Sequence, residues 1–300
     1  MNTPLLIHWL VLLLSGVVFG ASFSLFKLAA EPGHGAISLA FWYAAFSMLL
    51  LAPFVLWKHR GQRWFTRSAF RFCVVWGTLS TTLPALFFFF AARELPAGIM
   101  AIAISLVPIA TFAGAIALGH DRPTLPRCTG LGLGAASALL VAVPGSGLPN
   151  AGDVIWLLLP LGVVVCYAAE HLFFALKAPP QSPPETLLLS MFVISVLTLF
   201  PLTFAFGTLH LPFATPVIAD FALLGAAIVT VLDYFFFMFL IARAGPVFTS
   251  QAAYLVTLAG VGWGVLVLGE SHSVTFWIAL VLVIIGAILV TPKRPSNDHS

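Results

Sequence analysis

The sequence predicts an all-α integral membrane protein of ten transmembrane helices, arranged as two inverted five-helix repeats. Three observations predict this. The 300 residues are 61% hydrophobic and only 8% charged, with a mean hydropathy of +1.08, whereas a soluble domain carries roughly 25% charged residues. Runs of about 20 apolar residues, each long enough to cross a bilayer as a helix, recur along the whole chain. The chain also matches itself at a constant offset of 150 residues.

The spans fall at about 5–28, 36–57, 70–92, 97–118, 129–145, 152–176, 185–206, 218–242, 246–268 and 274–291. The first run is too long for the apolar part of a signal peptide and lacks a basic leader, so it reads as a retained helix. Glu31-Pro32-Gly33-His34-Gly35 ends it. Pro144-Gly145-Ser146-Gly147 begins the break between the fifth and sixth spans. Pro179-Pro180-Gln181-Ser182-Pro183-Pro184 separates the sixth and seventh. Clusters of proline and glycine end helices in this way. Two links are very short, Arg93 to Pro96 and Arg243 to Gly245, and short links force antiparallel neighbours.

Basic residues orient the spans. With the N-terminus in the cytoplasm, eleven of the 13 Lys and Arg residues fall on that side, among them Lys58, Arg60, Arg63, Arg67, Arg71, Arg122, Arg127, Lys177, Arg243, Lys293 and Arg294. Only Lys27 and Arg93 fall outside. Both termini are therefore expected in the cytoplasm, as an even number of spans requires. A net charge of +3, carried in short loops, is no nucleic-acid signature. Cys73, Cys128 and Cys166 are widely spaced, without metal or disulfide spacing.

In the self-match, Ala92-Arg93-Glu94-Leu95-Pro96 lines up with Ala242-Arg243-Ala244-Gly245-Pro246. Phe87, Phe89, Ala103 and Gly114 line up with Phe237, Phe239, Ala253 and Gly264, and Leu118-Gly119 with Leu268-Gly269. The repeats divide the chain into 1–147 and 148–300, the second ending in a short cytoplasmic tail. Five spans per repeat is an odd number, so the second repeat enters the membrane upside down. Inverted repeats are a mark of secondary transporters, in which two similar halves exchange conformations around a central site.

The chain resembles the EamA family of the drug/metabolite transporter superfamily over about residues 9–291. The residues that carry the resemblance are Val17-Val18-Phe19-Gly20-Ala21-Ser22-Phe23-Ser24-Leu25-Phe26-Lys27 in the first span, Phe89-Phe90-Ala91-Ala92 followed by Pro96-Ala97-Gly98 and Leu106-Val107-Pro108, and Leu268-Gly269-Glu270. The first repeat departs with Gly119-His120-Asp121 in place of Gly-Glu, and Leu258 stands where the first repeat has Pro108. The resemblance implies ten helices and the export or uptake of small metabolites. Amino acids and related amphipathic metabolites lead, and cationic or aromatic drugs are the alternative. It further implies the plasma membrane of a bacterium.

Ionisable groups inside a membrane face a cavity or a partner. Asp233 lies roughly 14 Å from the end of its span at 1.5 Å per residue, near the middle of a core about 30 Å thick. Glu170 lies roughly 9 Å from the end of its own. A carboxyl in such a place takes up a proton, pairs with an amine on the cargo, or pairs with a base of the protein. His171 points about 100° away from Glu170, so the two are not expected to act as one dyad. Lys27 either snorkels to the interface or lines the mouth of the cavity. Trp42, Tyr43, Phe87, Tyr167, Tyr234, Phe237 and Trp263 fall within spans and are candidates for an apolar cavity wall or for packing. Pro84, Pro108 and Pro160 each remove an amide donor and are expected to kink their helices. Thr81 and Thr82 either bind a ligand or satisfy the loosened backbone beside Pro84.

No His-Glu-x-x-His zinc motif and no phosphate-binding loop is present, so neither an enzyme, a resident cofactor, a metal nor ATP drive is expected. A passive channel is the rival of another class, but channels assemble symmetric pore rings from several subunits. The expected partners are a small-molecule substrate and the lipid bilayer, with no nucleic acid; a monomer is possible and the oligomeric state is left open.

Overall fold

The computed structural model describes residues 3–30, 34–60, 66–119, 122–142, 151–179, 182–207, 209–214, 217–249 and 252–290. Outside these lie the expected breaks at Glu31-Pro32-Gly33, Pro144-Gly145-Ser146-Gly147 and Pro180-Gln181. So do Arg63, His120, Asp121, the repeat boundary at 147 and 148, and the tail with Lys293 and Arg294. The described residues form ten helical rods and no strand. They are α1 (Thr3–Ala30), α2 (Ala36–Lys58), α3 (Arg67–Glu94), α4 (Ala97–Ala117), α5 (Leu125–Ala142), α6 (Leu158–Lys177), α7 (Pro184–Ala205), α8 (Ile218–Thr249), α9 (Ala252–Leu268) and α10 (Val274–Val290). Only helices satisfy every backbone group within one segment where no water is present.

Seven rods, α1 to α4 and α6 to α8, are long and apolar enough to cross a membrane, while α9 and α10 are shorter apolar helices. The polarity of the bundle is inverted relative to a soluble protein. Trp57 is 73% exposed and Leu266 80%, whereas Ser22, Ser38, Ser47, Ser105, Ser195 and Thr257 are buried. Large outward apolar surface of this kind requires a nonaqueous neighbour.

The main helix pairings correspond when the two halves are exchanged. Helix α1 packs on α8 and α9, as α6 packs on α3 and α4, and α2 packs on α8 as α7 packs on α3. The pairs α2–α7, α4–α9 and α5–α10 map onto themselves. Both α2 and α7 carry an internal proline, Pro53 and Pro201. The matched glycines Gly119 and Gly269 both adopt positive φ, +72° and +66°, a conformation that L side chains resist.

Small residues set the closest approaches. A Cβ on Gly20 would stand 2.7 Å from the Ala259 Cβ and 2.8 Å from the Gly260 nitrogen, so this glycine lets α1 lie against α9. A Cβ on Gly286 would stand 2.8 Å from the Gly130 carbonyl oxygen, and Ser137 donates to the Ala279 carbonyl at 2.7 Å, which seats α10 on α5. Membrane helices associate through small residues and interhelical hydrogen bonds.

One expected turn is corrected. The link at Arg93 to Pro96 forms, with Leu95 extended at φ −106°, ψ 145°. Its repeat counterpart at Arg243 to Gly245 does not, because α8 runs on through Pro246 to Thr249. Proline forces its predecessor out of the helix by clashing with that residue's Cβ. Leu95 has a Cβ and breaks, whereas Gly245 has none.

Candidate functional site

A cavity of about 150 Å³ lies at the centre of the bundle, walled by residues from α1, α2, α3, α4, α6, α8 and α9. Two backbone irregularities shape it. Helix α3 has a π-helical turn over Thr78–Thr82, just before Pro84; such turns gather at functional sites. Ser80, inside this turn, lines the cavity and donates to the Trp76 carbonyl at 2.8 Å. Thr82 donates to the Gly77 carbonyl at 3.1 Å and to Ser195 at 3.0 Å, so it satisfies the loosened backbone. Thr81, buried without a hydrogen-bond partner among the described residues, lines a smaller adjoining pocket. The second irregularity is in α4. Its ladder breaks at Ser105 and Leu106, just before Pro108, and Ile104 and Val107 flank the break on the cavity wall.

Both intramembrane carboxyls reach this cavity. Asp233 of α8 accepts a hydrogen bond from Ser15 of α1 at 2.5 Å through Oδ1. Glu170 of α6 accepts from the Trp76 indole of α3 at 2.9 Å through Oε1. Each bond crosses from one half of the chain to the other. His171 lies on the same wall but is exposed, and Glu170 is 9% exposed. Tyr43, Tyr167, Tyr234 and Phe237 supply aromatic surface, and the Tyr43 hydroxyl pairs with Thr230 at 2.8 Å. No lysine or arginine is among the described residues of the wall.

The bundle has two distinguishable ends. At one, Lys27 approaches the Arg93 carbonyl at 3.5 Å and Glu270 meets the start of α4. At the other, Lys58 and His59 contact Glu185, at 2.5 and 3.0 Å. Between the cavity and the Arg93 end, buried Phe23, Phe26, Phe88 and Phe89 interlock. Phe26 stacks on Phe88 at 5.4 Å and meets Phe89 edge-on at 5.0 Å. Glu170 and His171 lie instead in the last two turns of α6, toward the Lys58 end.

The structure thus brings together Asp233, Glu170, His171, Tyr43, Tyr234 and Phe237. It places four other candidates elsewhere. Lys27 sits at the Arg93 end. Trp42 donates to the His210 carbonyl at 2.8 Å, beside a stacked His34–His210 pair 4.2 Å apart. There burial, and then the neighbouring His34, hold His210 below its ordinary pKa, with Asp220 acting against them. Phe87 packs over Gly162 of α6, and Trp263 donates to the Val17 carbonyl at 3.0 Å. Pro160 falls where the 3-10 turns of Ala151–Leu157 give way to α6, at the start of the regular helix. Ser15, Trp76 and Thr230 escaped the sequence reading. Their only signal is a polar group inside an apolar run.

Glu270 performs a separate task. Its carboxylate accepts the Ala97 and Gly98 amides at 2.6 and 2.9 Å and lies 3.4 Å from His272. Burial opposes its ionisation. The His272 ring and the two amides outweigh that and hold the carboxyl below its usual value of 4.5. A Cβ on Gly98 would stand 2.8 Å from the His272 ring, so only glycine fits this cap. No group of three His, Cys, Asp or Glu residues able to hold a metal occurs among the described residues.

A family model described as "EamA-like transporter family" matches residues 6–143 and again 154–291. No curated relative matches the chain. A solved structure described as "Crystal structure of protein" superposes with a TM-score of 0.58 at 17% identity, over 93% of this chain and 95% of that one, and is a likeness of fold.

Proposed function

This chain belongs to the EamA-like transporter family, and on that premise we propose that it exports small amphipathic metabolites, a class that spans amino acids and related amines, by alternating access. The observation that carries this reading is the carboxyl-lined cavity between two halves whose main helix pairings correspond on exchange. Interchangeable halves of opposite orientation can open a central site first to one side and then to the other.

The charge count supports a cytoplasmic Lys58 end with both termini, and an outer Arg93 end; the family supports a bacterial plasma membrane as the setting. In that frame the Phe23, Phe26, Phe88 and Phe89 cluster seals the outer half, and the cavity extends toward the cytoplasm. This is the loading state of an exporter. The ten rods are then ten spans in two inverted sets of five. Asp233 and Glu170 either pair with an ammonium group on the cargo or carry the proton that drives it. The described wall of the cavity comes from one chain, which is compatible with a monomer.

Counterflow in proteoliposomes tests the reading. A carrier exchanges labelled solute against unlabelled solute across the membrane, and a passive channel only dissipates the gradient. Absence of counterflow with every small metabolite that binds the purified protein would remove the transport assignment.

A further inference from the structure

The cavity is chemically one-sided, and from this we infer that its cargo is a protonated amine without a carboxylate, about the bulk of one aromatic ring. The inference rests on the cavity's being the cargo site and narrows the class of cargo.

Two acids, Asp233 and Glu170, stand on the wall, and no lysine or arginine stands there among the described residues. The hydrogen bonds from Ser15 and Trp76 occupy only Oδ1 of Asp233 and Oε1 of Glu170. The second oxygen of each has no donor among the described residues and is open to an ammonium group. Rings of Tyr43, Tyr167, Tyr234 and Phe237 complete the wall, and aromatic faces attract cations, as in cages that bind ammonium ligands.

A zwitterionic amino acid fits such a wall at one end only. Its carboxylate would leave water for a cavity that offers two acids and no fixed cation, and an unpaired buried charge is strongly disfavoured. Among the described residues the one base on the wall is His171, which is exposed and adjoins Glu170 in sequence. It lies in the last two turns of α6, toward the Lys58 end and at the margin of the wall. The size limit comes from the volume of about 150 Å³, which matches the apolar cavity of about 150 Å³ known to take up benzene.

Three probes with the same phenyl ring and a short side chain separate the classes: phenethylamine, phenylalanine and 3-phenylpropionate. Titration calorimetry on the purified full chain should show phenethylamine binding, phenylalanine at least tenfold weaker, and 3-phenylpropionate not at all. Asp233→Asn or Glu170→Gln should weaken phenethylamine at least tenfold, while the Tm without ligand stays near that of the parent. The inference is overturned if phenylalanine binds as tightly as phenethylamine, if none of the three binds, or if His171→Gln abolishes binding that Asp233→Asn retains. Counterflow with the same probes keeps the two readings apart. Binding of phenethylamine without exchange upholds the amine site and defeats the transport reading. Exchange of phenylalanine without binding of phenethylamine does the reverse.

Discussion

The Ser15 hydroxyl of α1 donates a 2.5 Å hydrogen bond to Asp233 of α8, joining residues 218 positions apart across the two halves of the chain. The bond fixes one carboxyl oxygen against α1 while Asp233 remains on the cavity wall. Asp233 therefore touches both the cavity and the opposite half of the chain.

Asp233→Asn should abolish transport and leave the fold intact. The asparagine oxygen still accepts from Ser15, so stability should fall by about 1 kcal/mol or less, but the negative charge is gone. Ser15→Ala should do the opposite in part. It leaves a buried carboxyl oxygen without its donor, at a cost of about 1–3 kcal/mol, and keeps the charge. Thermal unfolding in detergent and proteoliposome counterflow measure the two effects separately. Normal transport by Asp233→Asn, Glu170→Gln and the double variant together would remove the proposed site.

Gly20→Val should destabilise the bundle by about 1–3 kcal/mol through overpacking, because even a bare Cβ there would crowd Ala259 and Gly260 of α9. Gly132 in α5 is the control. A Cβ there meets nothing within 4 Å, so Gly132→Ala should be neutral or stabilising by up to about 1 kcal/mol through helix propensity. Equal Tm values for Gly20→Val and the parent would contradict the close α1–α9 approach.

How much of this was legible in the sequence follows from the kind of signal each feature leaves. Rod positions could be read because each is a long apolar run with turn residues at its ends. Asp233 and Glu170 stood out because a carboxyl in such a run is rare. The partners Ser15 and Trp76 did not, since a serine or tryptophan in a membrane helix is ordinary, and only the fold brings residue 15 to residue 233. Trp42 and Trp263 went the other way. Their position within spans fitted a cavity wall, but in an apolar run the indole N–H of each takes the nearest acceptor. Both find it in a backbone carbonyl outside the cavity. The helical continuation of α8 through Pro246 depends on one missing Cβ, that of Gly245, which alignment by repeat overlooked.

The sidedness of the bundle can be read from the native cysteines. Cys128 is exposed near the start of α5, while Cys73 and Cys166 are buried. If the charge count orients the bundle correctly, Arg127 and Lys58 are cytoplasmic, and a membrane-impermeant maleimide should label Cys128 only after the cells are permeabilised. A reporter fused after Ser300 should be active in the cytoplasm. Labelling of intact cells, together with a reporter active only in the periplasm, would reverse the orientation.

Glu270 offers a pH test away from the membrane interior. Its folded carboxyl titrates below 4.5, the value of the free group, because the Ala97 and Gly98 amides and His272 favour the charged form over the opposing effect of burial. A depressed carboxyl pKa stabilises the folded state fully above the unfolded value and loses that contribution as pH falls through the folded one. Glu270→Gln removes the charge that the α4 amides receive. A charge-assisted cap of this kind contributes about 1.5–3 kcal/mol. The variant should thus melt below the parent at pH 6 to 7, with the gap closing once the pH drops under 4.5. Thermal unfolding of both proteins across that range measures the gap. A difference that stays constant down to the acid limit would mean that the carboxylate's charge contributes nothing to holding α4 against α9.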